Sequence, residues 1–203
     1  MRKSSTPGER TDAQSGRRIL LTRHGETAWN AQGKLQGHTD IVLNEIGRAQ
    51  ARALAERARA LSIGAVVTSD LLRARETGEI IATTLGLDAP LVEPALRERR
   101  FGVFEGLTRD ECATQHPAAW QAWLAQTGSP PGGEDRADVV TRIGAALANL
   151  AATDGAPVLV VSHGGVMRLW LMSVLASVPL IPNGATYEID HTPSGVRAAL
   201  ARW

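Results

Sequence analysis

The chain has 203 residues, and its 22 Lys and Arg residues almost balance its 21 Asp and Glu residues, so the net charge is +1 at pH 7. This balance argues against a dedicated nucleic-acid-binding protein. The one cysteine, Cys112, excludes an internal disulfide and a thiolate-only metal cluster. No apolar stretch reaches the roughly 20 residues that a membrane-spanning helix needs, so we expect a cytoplasmic protein.

Residues 1–16 contain mostly Ser, Thr, Gly, Pro and charged side chains without apolar periodicity, which predicts a disordered tail. Short apolar runs then predict buried strands at 19–21, 65–67 and 158–161, with closing strands at 187–189 and 196–200. Residues 90–96 are expected to form a connection or a short strand, and 97–108 a loop, because Gly102 and Gly106 interrupt any pattern.

Longer Ala-rich or amphipathic stretches between these strands predict helices. The predicted helices cover 44–61, 111–125, 135–151 and 166–175, and another begins after the second strand and ends near residue 85. Ser69 or Asp70 is expected to cap the start of that helix. Strands that alternate with helices predict an α/β fold, in which a mostly parallel sheet is covered on both faces.

Polar residues follow three of the predicted strands. Arg23 and His24 follow the first strand, Ser69 and Asp70 the second, and His163 the third. In doubly wound α/β folds, ligands bind beyond the carboxyl ends of the strands. We therefore expect these three clusters to meet at one edge of the sheet.

Arg23-His24-Gly25 combines groups that phosphoryl transfer uses. A neutral histidine attacks phosphorus to form a covalent intermediate, and a neighbouring arginine favours the neutral form because like charges lower a histidine pKa. Arginine also offers a fork of donors that matches phosphate oxygens, and Gly25 leaves room for backbone to approach a ligand. An ordinary surface turn is the alternative for an isolated tripeptide.

Three more residues suit the same chemistry, each with an alternative. Arg73 lies one turn into a helix whose N-terminus attracts anions, but it can also belong to a solvated helix face. Glu98 can protonate a leaving oxygen, although its three arginine neighbours would keep it ionised, and a charged loop is the alternative. His163 can donate to a developing phosphoryl charge or be a buried structural histidine. The remaining histidines are expected to be ordinary surface residues: His38, His116 and His191.

Other catalytic classes lack their signatures. No segment offers the closely spaced His and Asp ligands of a metal phosphatase. The Gly-rich nucleotide loops G-x-x-x-x-G-K-[ST] and G-x-G-x-x-G are missing, as is the G-x-S-x-G of serine hydrolases.

Several segments form an ordered pattern along the chain: Leu21-Thr22-Arg23-His24-Gly25-Glu26-Thr27-Ala28-Trp29-Asn30, Gln36-Gly37-His38-Thr39-Asp40, Leu43-Asn44-Glu45-Ile46-Gly47, Thr68-Ser69-Asp70-Leu71-Leu72-Arg73-Ala74 with Glu76-Thr77, Leu96-Arg97-Glu98 with Phe101-Gly102 and Glu105-Gly106, Pro131-Gly132-Gly133-Glu134, and Val161-Ser162-His163-Gly164-Gly165. Together they resemble the histidine phosphatase superfamily, also called the phosphoglycerate mutase-like family. The resemblance covers roughly residues 18–175. Several motifs in the same order are far more specific than one.

The resemblance implies a three-layer α/β/α sandwich, with residues 17–203 forming one histidine phosphatase domain. It makes His24 the nucleophile and Glu98 the general acid and then the base. It also implies that a ring of residues contacts the phosphoryl group or the substrate: Arg23, Asn30, Gln36, Gly37, Arg73, His163 and Gly164. No metal and no organic cofactor is implied. Trp29, Phe101, Phe104, Trp120 and Trp123 either line the leaving-group side or belong to the core.

Within the family, a phosphatase is favoured over a mutase. Mutases carry a longer insertion with Lys and Arg after the proton-donor segment, but here Pro130 follows Gly102 by 28 positions, and the one Lys or Arg between them is Arg109. Gly-Gly after His163 and Phe at position 101 also resemble short bacterial phosphatases. We therefore expect a small phosphorylated metabolite as partner, no nucleic acid and no membrane, and leave a homodimer open. A mutase-type phosphotransferase and an inactive ligand-binding or interaction module remain the alternatives.

Overall fold

The computed structural model describes residues 16–192 and 194–202. Over these residues it contains six strands: β1 (Ile19–Arg23), β2 (Ala65–Thr68), β3 (Leu91–Val92), β4 (Val158–Ser162), β5 (Thr186–Thr192) and β6 (Gly195–Leu200). They form one sheet with the order β3-β2-β4-β1-β5-β6. Strands β1 to β4 run parallel, whereas β5 is antiparallel to β1 and β6 is antiparallel to β5. The predicted, mostly parallel α/β sheet is confirmed.

Helices cover both faces of this sheet. The helices are α1 (Ala28–Ala31), α2 (Glu45–Ala58), α3 (Leu72–Leu85), α4 (Arg109–Gln115), α5 (Pro117–Leu124), α6 (Arg136–Ala151) and α7 (Gly164–Val174). Leu20 of β1 packs into one core with α2 and α3, whereas its neighbours Ile19 and Leu21 pack into the other core with α6 and α7. Because successive strand residues point to opposite faces, β1 and β4 are buried on both sides and each begins with an apolar run. The three-layer α/β/α sandwich is thus confirmed.

The predicted cap of α3 is wrong. Leu71 occupies the N-cap position, and its side chain makes no capping bond. The carboxylate of Asp40, from a distant loop, accepts the N–H of Leu72 at 2.9 Å. Asp70 instead pairs with Arg97. The capping group is thus supplied across the fold, where a rule based on neighbouring residues does not find it.

The predicted helix over 111–125 is in fact two helices, α4 and α5. The chain breaks at His116 (φ −134°, ψ 54°), immediately before Pro117. A proline ring disfavours helical geometry in the residue that precedes it, and Pro117 then starts α5. Both helices pack over a small apolar cluster of Phe101, Phe104, Cys112 and Trp120.

Apart from Gly16, the predicted tail lies outside the described residues. The N–H of Gly16 donates to the carbonyl of His191 at 3.1 Å, which joins the start of the described chain to β5. None of the described helices is long and apolar enough to cross a membrane.

Candidate active site

The carboxyl ends of β1 and β4 bring His24 and His163 together. These strands are parallel neighbours, and their register pairs Arg23 with Ser162. The next residue on each strand is therefore a histidine at the same edge, with ring centroids 5.1 Å apart. Arg73 comes from the first turn of α3, after β2. The two histidines thus meet at the edge where three polar clusters were predicted to meet, but neither Ser69 nor Asp70 of the remaining cluster lines the cavity; Arg73, a few residues further along the chain, does.

His24 is buried and has a defined tautomer. Its Nδ1 lies 2.6 Å from the carbonyl oxygen of Gly25. A carbonyl only accepts, so Nδ1 carries the proton and Nε2 keeps its lone pair. Burial, followed by the charges of Arg73 and Arg23, lowers the pKa of His24 well below its ordinary value. The ring is therefore neutral at physiological pH, with an available nucleophilic nitrogen.

The space beside Gly25 is occupied by backbone of the same chain. A Cβ on Gly25 would lie 2.4 Å from the carbonyl oxygen of Gly47 in the first turn of α2. The expectation that Gly25 makes room for a ligand is wrong, because α2 packs there. The N–H of Gly25 donates to Oγ1 of Thr77, which in turn donates to the carbonyl of Arg73. These hydrogen bonds connect the segment after β1 to α3.

Arg23, Arg73 and His163 present buried nitrogens without a protein partner. Arg23 donates through Nη1 to Ile181, and Arg73 donates through Nη1 and Nη2 to the carbonyls of Thr39 and Gly37. Nε of both arginines and both ring nitrogens of His163 have no hydrogen-bond partner among the described residues. An unpaired buried polar group costs about 1–3 kcal/mol, so this arrangement suits an oxyanion bound among these groups.

The charges around His24 persist at neutral pH. Burial lowers the pKa of Arg73 to about 10, which still leaves the guanidinium protonated. Burial, then Arg73 and His24, lowers the pKa of His163 well below its ordinary value. A neutral imidazole has one N–H to donate. The site therefore offers two guanidinium groups and one imidazole donor beside the free nitrogen of His24.

Glu98 is held at the N-terminus of α7. Its Oε1 accepts the N–H groups of Arg99 and Val166 at 2.8 Å, and its Oε2 accepts that of Gly165 at 2.9 Å. Of its three arginine neighbours in the sequence, Arg97 donates to Asp70 and Arg99 donates to the loop at 129–134. The carboxylate contacts are backbone N–H groups instead.

Arg142 and His38 fix the backbone around Glu98, and the sequence reasoning assigned neither residue to the site. Arg142, from α6, donates to the carbonyls of Ala95, Arg97 and Glu98. His38 was expected at the surface, but it is half-buried and its Nε2 lies 2.8 Å from the carbonyl of Glu98. Neither residue follows a strand, so the topological rule gave no signal for them.

The other predicted contacts divide into two groups. Asn30, Gln36 and Gly164 line the cavity beside His24, which has a volume of about 620 Å³. A Cβ on Gly164 would lie 3.0 Å from Nε of Arg23, so glycine permits that close approach. Gly37 is not among the lining residues; it lies behind Arg73 and supplies a carbonyl to its guanidinium.

Asn183 also contacts residues of the site, although no sequence motif pointed to it. Its Nδ2 donates to the carbonyl of His24 at 2.9 Å and to Oδ1 of Asn30 at 3.3 Å. Asn183 lies in the loop before β5, the antiparallel neighbour of β1. The rule that ligands bind beyond the carboxyl ends of strands applies to the parallel strands, so it gives no signal at an antiparallel neighbour.

The aromatic residues that the sequence placed either at the leaving-group side or in the core differ in position. Phe101 and Trp123 line the cavity. Phe104 and Trp120 are buried in the apolar cluster beneath them, where their rings meet edge to face with centroids 5.6 Å apart. Trp29 packs near Gly106, and Nζ of Lys34 lies over its ring, 5.9 Å from the ring centroid.

Comparison with known proteins gives consistent results. Residues 19–200 match the Histidine phosphatase superfamily (branch 1). A metal-independent phosphoserine phosphatase from Arabidopsis thaliana is 41% identical over 155 residues, which span 74% of this chain and 65% of that protein. A probable phosphoglycerate mutase GpmB from Enterobacter sp. (strain 638) is 38% identical over 161 residues, covering 77% of this chain and 74% of that protein. The mycobacterial glucosyl-3-phosphoglycerate phosphatase complexed with VO3 has a TM-score of 0.77 at 32% identity, covering 92% of this chain and 98% of that chain.

Proposed function

Because the chain belongs to the histidine phosphatase superfamily (branch 1), we propose that it is a phosphomonoesterase that hydrolyses a small phosphorylated metabolite through a phosphohistidine on His24. One observation carries the proposal. The ring of His24 lies beside that of His163, with centroids 5.1 Å apart, and close enough to Arg73 and Arg23 for their charges to act on it, and buried nitrogens of these three neighbours have no partner among the described residues. Two relatives that are named phosphatases support hydrolysis over other chemistry.

In the first step, Nε2 of His24 forms a bond to phosphorus while the bond from phosphorus to the ester oxygen breaks. Arg23, Arg73 and His163 donate to the equatorial oxygens, where charge accumulates. Glu98, in its protonated form, gives its proton to the departing alcohol. The Gly25 carbonyl accepts a hydrogen bond from Nδ1–H and so stabilises the positive charge of the phosphorylated imidazole.

In the second step, water attacks phosphorus from the side that the alcohol has left. Glu98, now a carboxylate, accepts a proton from this water, and the bond between phosphorus and Nε2 breaks. The products are inorganic phosphate and the neutral His24. Both halves of the reaction use the same residues, and no step calls for a metal or an organic cofactor.

Mutase-type phosphotransfer is the second candidate, because one relative carries the name of a phosphoglycerate mutase. The sequence argument against it concerned cations in the short insertion. The structure places Arg109, the one cation of that insertion, in the cavity wall, and adds Arg99, Arg136 and Arg168 from other segments. The cation argument therefore does not separate the two activities, and the case for hydrolysis rests on Gly-Gly after His163, on Phe101 and on the phosphatase relatives.

Turnover measurements test the proposal. We expect phosphate release from one or more of p-nitrophenyl phosphate, phosphoserine, 3-phosphoglycerate, ribazole phosphate, sugar phosphates and nucleotides, with and without chelator alike. His24→Ala should reduce the release at least about 10³-fold, because it removes the nucleophile. His191→Ala, a matched change on β5, should retain activity.

Two results would contradict the proposal. Interconversion of 3-phosphoglycerate and 2-phosphoglycerate, with a trace of 2,3-bisphosphoglycerate, well above phosphate release would favour the mutase. Failure across the whole panel, with inorganic phosphate still bound, would favour the inactive module.

A further inference from the structure

Arg142 is a half-buried arginine of α6 whose hydrogen bonds converge on the backbone that carries Glu98. Its Nη1 donates to the carbonyls of Ala95 and Arg97 at 2.8 and 2.7 Å, and its Nη2 donates to that of Glu98 at 3.1 Å. Residues 97–100 belong to no helix or strand, so no regular ladder of backbone hydrogen bonds holds them. The guanidinium of Arg142 takes the place of such a ladder.

Glu134 orients this guanidinium from the other side. Its Oε1 accepts Nε of Arg142 at 2.7 Å and its Oε2 accepts Nη2 at 2.9 Å. An arginine that binds both oxygens of one carboxylate has a fixed orientation as well as a strong hydrogen bond. Glu134 lies at the end of the loop 129–134, so the ion pair also joins this loop to the segment of Glu98.

Arg142 has no donor left for a substrate. A guanidinium carries five N–H groups, and here two go to the carboxylate of Glu134 and three to backbone carbonyls. Arg142 is also absent from the residues that line the cavity. Any effect of Arg142 on the reaction therefore passes through the residues that it holds.

Glu98 is held from two helices at once. Arg142 of α6 binds its backbone carbonyl, and the N–H groups of Gly165 and Val166 in the first turn of α7 bind its carboxylate. The side chain is buried, with 8% of the residue exposed, and it must span the distance between these two attachments. Loss of the attachment to α6 would let the carboxylate move relative to the candidate phosphoryl position.

The cost of such a movement depends on the departing alcohol. p-Nitrophenolate delocalises its negative charge into the nitro group and leaves as an anion, so it has little need of a proton. Phenolate has no nitro group and is a more basic anion, so its departure gains more from a general acid. A misplaced Glu98 should therefore slow phenyl phosphate more than p-nitrophenyl phosphate.

We propose that Arg142, oriented by Glu134, is a positioning residue for Glu98, and that it acts in the step in which Glu98 protonates the departing alcohol. This inference rests on the proposed function and adds a residue to it. In that step Nε2 of His24 bonds to phosphorus, the bond from phosphorus to the ester oxygen breaks, and the proton of the Glu98 carboxyl group moves to that oxygen. Arg142 keeps its own protons throughout.

The ratio of kcat/KM for phenyl phosphate to that for p-nitrophenyl phosphate tests the proposal. Both esters form the same phosphohistidine, so this ratio reports only binding and the departure of the alcohol. Arg142→Gln should lower the ratio at least about fivefold, a part of the 10²- to 10⁴-fold that general acid catalysis contributes. Glu134→Gln should lower it about twofold to threefold, because a neutral amide accepts weaker hydrogen bonds from a guanidinium than a carboxylate does.

Arg48→Gln is the matched control. Arg48 also donates to a backbone carbonyl, that of Leu43, and it pairs with a carboxylate, that of Glu76, but it does not bind the segment of Glu98. This variant should keep the wild-type ratio. Partial unfolding lowers the rates for both esters by the same factor, so the ratio separates positioning from a loss of folded protein. If Arg142→Gln does not fold, Glu134→Gln carries the test.

Amide hydrogen exchange measured by NMR gives a readout that needs no turnover. The N–H groups of Gly165 and Val166 lie in the first turn of α7, where the helix offers no acceptor, and they donate to Glu98 instead. In Arg142→Gln their exchange should become at least about tenfold faster relative to N–H groups in the middle of α7. Arg48→Gln should leave it unchanged.

An unchanged ratio in folded Arg142→Gln would overturn the proposal, as would a wild-type protein that hydrolyses p-nitrophenyl phosphate but not phenyl phosphate. If neither ester is hydrolysed and the rest of the panel also fails, the proposed function fails, and amide exchange then decides whether Arg142 positions Glu98. Faster exchange at Gly165 and Val166 in Arg142→Gln supports that role, and wild-type exchange rates overturn it.

Discussion

At the scale of single residues, the tautomer and the charge of His24 have separate causes. The carbonyl of Gly25 fixes the tautomer, and burial with Arg73 and Arg23 keeps the ring neutral. Tautomer and charge are both needed, because a protonated ring or a proton on Nε2 would leave no lone pair facing the cavity. The charge effect of Arg23 was predictable from the sequence, whereas burial, the largest cause of the lowered pKa, was visible only in the fold.

Glu105 positions Arg73 without facing the candidate phosphoryl group. Its carboxylate accepts the N–H groups of His38, Thr39 and Phe101, and the hydroxyl of Thr39. The loop that it holds supplies the carbonyls that orient the guanidinium of Arg73. One carboxylate thus determines the geometry of a loop and, through it, of a phosphate-binding arginine.

We predict that Glu105→Ala lowers the free energy of unfolding by about 2–4 kcal/mol, because several donors lose a charged acceptor. kcat/KM should fall at least about tenfold as Arg73 loses its fixed orientation. Urea denaturation and steady-state kinetics measure the two effects. Glu79→Ala, which removes a carboxylate from an exposed i,i+4 pair with Arg75, should change stability by less than about 0.5 kcal/mol. Equal behaviour of the two variants would contradict this role.

At the scale of elements, the N-terminus of α7 is both a helix start and a binding site for Glu98. The carboxylate takes two N–H groups of the first turn, at Gly165 and Val166, which the helix itself leaves unpaired. A negative charge is also favoured at this end of a helix dipole. The helix begins at Gly164, two residues before the predicted start at residue 166, although glycine has a low helix propensity.

We predict that Gly165→Ala separates stability from activity. A Cβ at this position would lie 2.6 Å from Oε1 of Glu98 and would force the carboxylate to move. Alanine favours a helix by about 1 kcal/mol over glycine, so stability should change little while kcat/KM falls at least about tenfold. Thermal unfolding and kinetics measure the two quantities.

Gly144→Ala on α6 is the matched control, because its Cβ would meet Nε1 of Trp170 at 3.3 Å, away from the cavity. This variant should retain kcat/KM. Full activity in Gly165→Ala, or an equal loss in both variants, would show that the position of Glu98 does not matter.

At the scale of the whole molecule, the site places two uncharged histidines in the protein interior. The pKa values of His24 and His163 are lowered well below 6.5, first of all by burial. The unfolded chain therefore binds protons at these positions at a pH where the folded chain does not. Stability is present above about pH 6.5 and falls as pH decreases below it, by up to about 1.4 kcal/mol per pH unit for each histidine.

We predict that the free energy of unfolding, measured by urea denaturation without phosphate, decreases from pH 7 to pH 5. His163→Gln cannot take up the proton, so its decrease over this range should be smaller by about 1–2 kcal/mol. His116→Gln, outside the cavity wall, provides the comparison for a histidine at the junction of α4 and α5. A wild-type curve that is flat or rises toward acid would contradict the burial of neutral histidines.

The sequence predicts more of the fold than of the candidate site. Apolar runs identified β1, β2 and β4, and the rule for parallel sheets brought His24 and His163 to one edge. What the sequence did not reveal depends on contacts between distant segments. Asp40 caps α3, Arg142 fixes the backbone at Glu98, and cations from several elements converge on one cavity. Such contacts have no local pattern, because each partner is supplied by a separate part of the chain.

The central claim is that Nε2 of His24 receives the phosphoryl group. Rapid alkaline quenching of the protein during turnover of p-nitrophenyl phosphate, followed by peptide mapping under alkaline conditions, tests it most directly. We predict an acid-labile, alkali-stable phosphoryl group on the peptide that contains His24, formed and consumed at rates compatible with turnover. A phosphoryl group on another residue, or on the His24→Ala protein, would contradict the account.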